Sequence, residues 1–430
     1  MKTIINNIIV KKIAAIIKGT KYENKVFVVG GFVRDLIMNK PSKDIDLLID
    51  GDINAGIDFA EWFCKKEKIF VKNSNPLVYG LYGTAMFNYC GEKIECVAPR
   101  SEKYKENSRN PIVSGCSIID DCFRRDFTIN SLFINISSNE LIDYSNKGLS
   151  DIDDEIIRST SDPDIIFNDD SLRILRCIRF ACKFNFSIEP KTYEGMKKHA
   201  RRLEIISKER IQDEITKILT GPHKDRGIQM LYEIDAIDLV FPSIRNYVPD
   251  IMHIVHSLEI AASDDIATNL AIVVEECFYP EKDLRYLKFS NDIIKACLDI
   301  MDNNINELVN NIPKDELHTP QTIVNLRRFQ YKCKSYDNML KHMKYIYSTS
   351  SYYHTMQPKM ETLKHLTDQM AEKGCNMFGY KLPVDGNFIM EKKNIKAGPM
   401  VKQYLDFLLE IAFYNPHLSK EDCEKILELY

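Results

Sequence analysis

The stretch Val26–Ile49, VFVVGGFVRDLIMNKPSKDIDLLI, limits the fold more than any other part of the chain. Its apolar run Val26–Val29 predicts a buried strand, and Gly30-Gly31 predicts a tight turn. Phe32–Met38 has helical character, Asn39–Lys43 reads as a loop, and Ile45–Ile49 predicts a second strand. Side chains two apart on a strand share a face, so Asp44 and Asp46 point the same way while Ile45 points into the core. A solvated acidic pair at a strand start has the same spacing. Beside a glycine turn, two converging carboxylates are also able to hold a divalent metal close to a phosphate.

Two further strings carry chemistry. In Phe123–Leu132, adjacent Arg124 and Arg125 and then Asp126 precede an apolar run that contains Asn130. A guanidinium fork suits phosphate oxygens, and a carboxylate suits ribose hydroxyls. In Asp169–Phe180, Leu172, Leu175, Ile178 and Phe180 suit the buried side of a helix. Arg173, Arg176 and Arg179 repeat every three residues on a neighbouring face, and Asp169 and Asp170 stand at the helix start, where the dipole favours acids. A capped helix with a solvated arginine stripe would show the same pattern.

Between these strings, Asn54–Ile69 reads as a helix whose Trp62 belongs to the core, and Tyr82–Tyr89 with Lys93–Val97 reads as a hairpin. Glu95 would lie on a strand near the acidic pair. Ser101–Asp121 is polar, is interrupted by Pro111 and Gly115, and reads as a long mobile loop. Glu189–Arg202 and Ile205–Leu219 read as helices, with Arg210 and Glu214 spaced as an i,i+4 pair. From Arg327 to Tyr347, basic and aromatic residues interleave, which suits RNA phosphates and bases and equally an amphipathic helix with snorkelling lysines.

Together, Gly30-Gly31-x-Val33-Arg34-Asp35 with Asp44-x-Asp46, Arg124-Arg125-Asp126-Phe127-Thr128-Ile129-Asn130 and Asp169-Asp170-x-x-Arg173 resemble the motifs of class II tRNA nucleotidyltransferases and bacterial poly(A) polymerases. The resemblance is strong over about residues 25–220. It implies an α+β fold: a polymerase-β-like nucleotidyltransferase head over residues 1–140, then an all-helical neck (141–220), body (221–311) and tail (312–430). It implies CCA addition to tRNA from CTP and ATP, with poly(A) polymerase and CC-only or A-only addition as alternatives. An inactive RNA-binding protein is the alternative of another class.

By the same resemblance, Asp44 and Asp46 hold two Mg²⁺ ions, for which Mn²⁺ can substitute, and Glu95 joins them. Gly30, Gly31, Arg34, Arg125, Asp126, Asn130 and Arg176 face the nucleotide, while Asp170 and Arg173 read the base edge. Asp169, which replaces the family's Glu, belongs with Glu209, Arg210 and Glu214 in bracing the base-reading helix. The body carries no His-Asp hydrolase doublet; Val274-Glu275-Glu276-Cys277 stands where one would fall.

Composition adds bounds. A 430-residue chain, 44% hydrophobic, supports several domains with real cores. A net charge of −4 requires a local basic surface if RNA is bound. The expected partners are tRNA, CTP and ATP, without DNA or membrane, and the oligomeric state stays open. The twelve scattered cysteines point to reduced thiols and a cytoplasmic setting, and the N-terminal apolar stretch reads as an amphipathic helix.

Overall fold

The computed structural model describes residues 7–42, 44–68, 76–80, 83–103, 112–310, 312, 319–351 and 353–430. The first helix, α1 (Ile8–Ile17), is N-capped by Asn7, whose side chain accepts from the Ile9 and Val10 amides. Strand β1 (Val26–Val29) follows, then α2 (Gly31–Ile37), β2 (Ile45–Ile49) and α3 (Ala55–Lys66). Strands β3 (Leu77–Tyr79), β4 (Thr84–Tyr89), β5 (Glu92–Val97), β6 (Arg100–Lys103) and β7 (Ile112–Gly115) precede α4 (Ile118–Arg124), and β8 (Phe133–Asn135) and β9 (Glu140–Ile142) end the run.

Seven strands form one sheet in the order β3-β4-β5-β2-β1-β8-β9. Its pairs are antiparallel except one: β2 runs parallel to β5, with Asp46 opposite Glu95. The crossover through α3, β3 and β4 makes that pairing possible, since parallel neighbours need a long connection. Strand β2 is central and its Ile45, Leu47, Leu48 and Ile49 are buried, as its apolar composition demands. Helix α3 packs Phe59 and Phe63 into the core, where Phe63 stacks on Phe87 of β4. Trp62 is half-buried with its ring 4.7 Å from Tyr22, a core position rather than a platform. Helix α4 packs Ile118 and Cys122 onto Phe27, Leu48 and Phe133.

The predicted α+β class is the one the chain adopts, and the region that follows the sheet is built mainly of helices. These begin with α5 (Gly148–Asp153), α6 (Pro163–Asp169), α7 (Leu172–Phe184), α8 (Pro190–His199) and α9 (Lys208–Leu219). Two short parallel strands, Ile156–Ile157 and Ser187–Ile188, interrupt that otherwise helical region. The chain divides into two compact units, residues 1–223 with 230–239, and residues 224–229 with 240–430.

The segment Ser101–Asp121 differs from its reading as a loop. It contributes the β6–β7 hairpin and the start of α4, whose N-cap Ser117 accepts from the Asp120 amide. Its polar sequence hid both elements, because a two-stranded hairpin need bury little. Residues 104–111 of that segment, and Tyr82 of the predicted hairpin, lie outside the described residues. The second unit is helical, and there several members of the interleaved basic–aromatic stretch make intramolecular contacts while Lys332, Lys334 and Lys344 are exposed. Arg327 donates to the Phe413 and Tyr414 carbonyls at the end of helix Pro399–Tyr414, and Arg328 pairs with Glu410. Tyr331 lies edge-on to Phe413 and Tyr345 is buried, so the amphipathic-helix reading accounts for these groups. Among the described residues no helix is long and apolar enough to cross a membrane.

Candidate active site

Strand β1 ends at Val29, and the chain turns at Gly30 with φ +70°, a conformation that favours glycine. A Cβ built on Gly30 would stand 3.7 Å from Arg125 Nη1 and 3.8 Å from Asp46 Oδ2. The turn therefore lies between a guanidinium and a carboxylate. The cleft over it has a volume of about 530 Å³ and is contained within the first compact unit. Nine basic side chains line it against four carboxylates, which supplies the local positive surface that the net charge lacks.

Of the residues singled out in the sequence, Gly30, Gly31, Arg34, Asp46, Glu95, Arg125, Asp126, Asn130, Asp170, Arg173, Arg176 and Arg210 line this cleft. Asp44, Asp169, Glu209 and Glu214 do not. Asp44 is exposed one residue before β2, near enough to act electrostatically on Asp46. Asp169 is the last residue of α6 rather than the first of α7, and Asp170 caps the turn between them with Oδ1 accepting from the Leu172 amide at 3.1 Å.

Asp46 has an unusual electrostatic setting. Burial, then the neighbouring Glu95, push its carboxyl up to about 6; Arg125 opposes them and Asp44 adds to the rise. Among the described residues, no group of three or more His, Cys, Asp or Glu is arranged to hold a metal ion unaided. The donor set nevertheless fits Mg²⁺, which takes one or two carboxylates and completes its shell with water and substrate phosphates. A cation at Asp46 would relieve the carboxylate repulsion that raises its pKa, and the Gly30 cradle leaves backbone room beside it.

The arginines are held in distinct ways. Arg34 is buried, bonds Asp35 through Nε at 2.8 Å and Nη2 at 2.7 Å, and donates to Asn130 Oδ1. Its guanidinium lies 4.6 Å from the Phe184 ring centre. It thus joins the glycine-turn helix to the Thr128–Asn130 turn and to α7. Asp126 is buried as well: Oδ1 accepts from the Phe127 amide and Asn130 Nδ2, and Oδ2 from Arg176 Nε at 2.9 Å and Nη2 at 2.5 Å. Burial raises its carboxyl, but Arg176, together with the Asn130 hydrogen bond and the charge of Arg173, outweighs that and holds it at about 2.

Helix α7 buries Leu172, Leu175, Ile178 and Phe180, as its spacing predicts. Arg173 Nη1 makes a long contact, 3.4 Å, to the Ile166 carbonyl. The expected i,i+4 pair of Arg210 and Glu214 does not form. Arg210 donates to Asp170 Oδ2 at 2.8 Å, and buried Glu214 accepts from Arg179 at 2.6 Å. Partners on α7 and its capping turn compete better than the local one, because Glu214 faces the core and Arg210 the cleft. The bracing expected of this helix therefore runs through Arg179–Glu214 and Asp170–Arg210.

Sequence reasoning passed over Asp121, which is fully buried and takes Arg124 and Arg125 together. Arg124, Arg100 and Lys183 also line the cleft without having been assigned a role there. The signal available for Asp121 was its place three and four residues before two arginines, a spacing that meets on a helix.

Comparison with known proteins agrees with this geometry. Residues 26–158 match the family described as Poly A polymerase head domain, and residues 185–248 match the one described as Probable RNA and SrmB-binding site of polymerase A. The tRNA nucleotidyltransferase cca1 of Schizosaccharomyces pombe is 36% identical over 235 residues, covering 51% of this chain and 46% of the relative. The chain thus spans about half the length of that relative. The tRNA nucleotidyltransferase cca2 of the same organism is 26% identical over 454 residues, covering 94% and 92%. In fold, the chain is similar to the Bacillus stearothermophilus CCA-adding enzyme in complex with CTP, with a TM-score of 0.71 at 22% identity, covering 97% of this chain and 96% of the other.

Proposed function

Because the chain belongs to the class II family of tRNA nucleotidyltransferases and poly(A) polymerases, we propose that it adds C, C and A to the 3′ end of tRNA from CTP and ATP, releasing pyrophosphate. The observation that carries this reading is the single cleft joining Asp46 and Glu95, the Gly30 turn, Arg125, and the Asp170–Arg173 segment. Its relatives named as CCA-adding enzymes support the choice of substrate.

In this reading Asp44 and Asp46 hold Mg²⁺. When bound, it lowers the pKa of the attacking 3′-hydroxyl and neutralises the triphosphate. Gly30 lets the backbone approach the phosphates, and Arg125, beside the turn, offers its terminal amino groups to their oxygens. Asp126, anchored by Arg176, presents its carboxylate edge toward the sugar. Asp170 accepts from the exocyclic amino group that C and A share, and Arg173 donates to a ring acceptor. Both exchange existing partners to do so: Asp170 releases Arg210, and Arg173 releases the Ile166 carbonyl. Glu95 keeps the site anionic beside Asp46. No protein nucleophile is needed. Residues 1–140 would form the head, 141–220 the neck, 221–311 a body without hydrolase function, and 312–430 a tail near tRNA.

The test is extension of a defined tRNA lacking CCA, CA or A, with each NTP alone and then with CTP plus ATP, resolved to single nucleotides. Ordered C, C, A addition followed by arrest is expected. Long A tracts from ATP alone would make the protein a poly(A) polymerase. Arrest after CC, or activity only on the CC-ended tRNA, would assign a partial activity. No incorporation with Mg²⁺ or Mn²⁺ would refute the enzymatic reading.

A further inference from the structure

Asp121 is fully buried in α4, just C-terminal to the β6–β7 hairpin; it does not line the cleft itself but lies behind residues that do. Oδ1 accepts from Arg124 Nε at 3.1 Å, from Arg124 Nη2 at 2.6 Å and from the Arg100 amide at 3.3 Å. Oδ2 accepts from Arg125 Nε at 2.9 Å. One carboxylate thus takes one guanidinium on each oxygen, and both arginines line the cleft. Burial pushes its carboxyl up, but Arg125 and then Arg124 outweigh this and hold it below its ordinary value.

The geometry at Arg125 gives the arrangement a purpose. Asp121 holds Arg125 through Nε, so this bond leaves the terminal amino groups to the cleft. Nη1 stands 3.7 Å from a Cβ built on Gly30, and the Phe133 ring centre lies 5.2 Å from the guanidinium carbon. A ring and a carboxylate fix the plane of the guanidinium while its fork faces the glycine turn. Two adjacent arginines without a shared anion would repel and turn toward solvent. With Asp121 between them, the pair keeps a net positive charge in one orientation.

We propose that Asp121 is a positioning residue for the triphosphate: it acts through Arg125, and with Arg124, to aim a guanidinium fork at phosphate oxygens beside the Gly30 turn. The inference rests on the nucleotide-binding reading above. The alternative is that Asp121 only stabilises the first turn of α4, where an acid is favoured by the helix dipole. A stabilising role alone would lower the fraction of folded protein without changing how that protein binds phosphate.

The full chain is therefore compared with Asp121→Asn, which keeps the shape but offers one acceptor and turns an amide N–H₂ toward an arginine. Isothermal titration with inorganic tripolyphosphate and with CTP, Mg²⁺ present, should show both dissociation constants rising by about tenfold or more. In turnover, KM for CTP and ATP should rise by a similar factor, with a smaller fall in kcat. In an Arg125→Lys background, Asp121→Asn should add little, because Lys lacks the Nε that Asp121 holds. Asp121→Glu, which keeps the charge and displaces the oxygens, should weaken tripolyphosphate binding to a lesser degree, and it serves where the amide variant does not fold. Unchanged tripolyphosphate binding in either folded variant overturns the proposal while leaving the nucleotide site intact. A wild-type protein that binds neither tripolyphosphate nor CTP overturns the nucleotide reading and this inference with it.

Discussion

Replacing Arg176 with methionine should loosen the cleft more than its partly exposed position implies. Arg176 supplies both donors to Asp126 Oδ2, and Asp126 is only 8% exposed. Removing one partner of a buried pair costs about 3–5 kcal/mol. The Arg176 side chain is 35% exposed, so water would reach the vacated oxygen and reduce the loss to roughly 2–3 kcal/mol. The acid–base linkage agrees: a carboxyl held at about 2 when folded and near 3.9 when unfolded contributes about 2.6 kcal/mol at neutral pH. Because the folded value is the lower one, this contribution is complete above about pH 5 and is lost progressively as pH falls through the folded value toward about 1. In Arg176→Met the Asp126 carboxyl rises, so the stabilisation goes at neutral pH and its acid loss shrinks. Hydrogen exchange read by mass spectrometry over Leu172–Phe184 and Phe127–Ser131 measures this without assuming two-state unfolding of the whole chain. Protection there should fall by roughly two orders of magnitude, with the second compact unit unchanged. Asp126→Asn combined with Arg176→Met should recover part of the loss, since no buried charge is then left alone. Unchanged protection in Arg176→Met, or an acid response equal to that of wild type, would refute the reasoning.

Two more outcomes follow from the site and the tail. Asp44→Ala or Asp46→Ala should abolish nucleotidyl transfer while tRNA binding survives; near-wild-type Mg²⁺-dependent turnover in either variant would remove the metal assignment. Arg327→Ala leaves the Phe413 and Tyr414 carbonyls without this donor, so calorimetry should show a loss of about 1–3 kcal/mol in the second unit. In a salt titration the same variant should keep the wild-type slope for tRNA binding, and a reduced slope would return Arg327 to RNA contact.

What was legible in the sequence was mostly local. A strand, two glycines and a helix are specified by neighbours in the chain, and so the Gly30 turn and the Leu172–Phe184 helix form where the pattern places them. Pairings between distant segments were not legible from periodicity. The pattern put Glu95 on a strand near the acidic pair and the resemblance raised it further, but nothing in the alternation of Lys93–Val97 says that β5 lies parallel to β2 with Glu95 opposite Asp46. Arg210 and Glu214 illustrate the opposite error. Their spacing permits a local pair, but Asp170 and Arg179, distant in sequence, compete for them and form the closer contacts. Asp121 was hidden for a third reason. A buried acid reads as a polar loop residue until its two arginine partners are seen on either oxygen. In the tail, composition left two readings open, and the contacts of Arg327 and Tyr331 show that arginine and tyrosine there serve packing and capping.

The parallel pairing of β2 with β5 also sets an order of events in synthesis. As the chain leaves the ribosome, Asp46 emerges with a sheet neighbour only on the β1 side, and α3, β3 and β4 must all follow before Glu95 comes alongside it. The arginines of α7 and Arg210 of α9 arrive later still. A nascent chain therefore has no complete nucleotide cleft until residues through Arg210 have cleared the exit tunnel. Until β5 has emerged and paired, the central strand of the sheet has one unpaired edge, the surface on which a chaperone or a neighbouring nascent chain would act first.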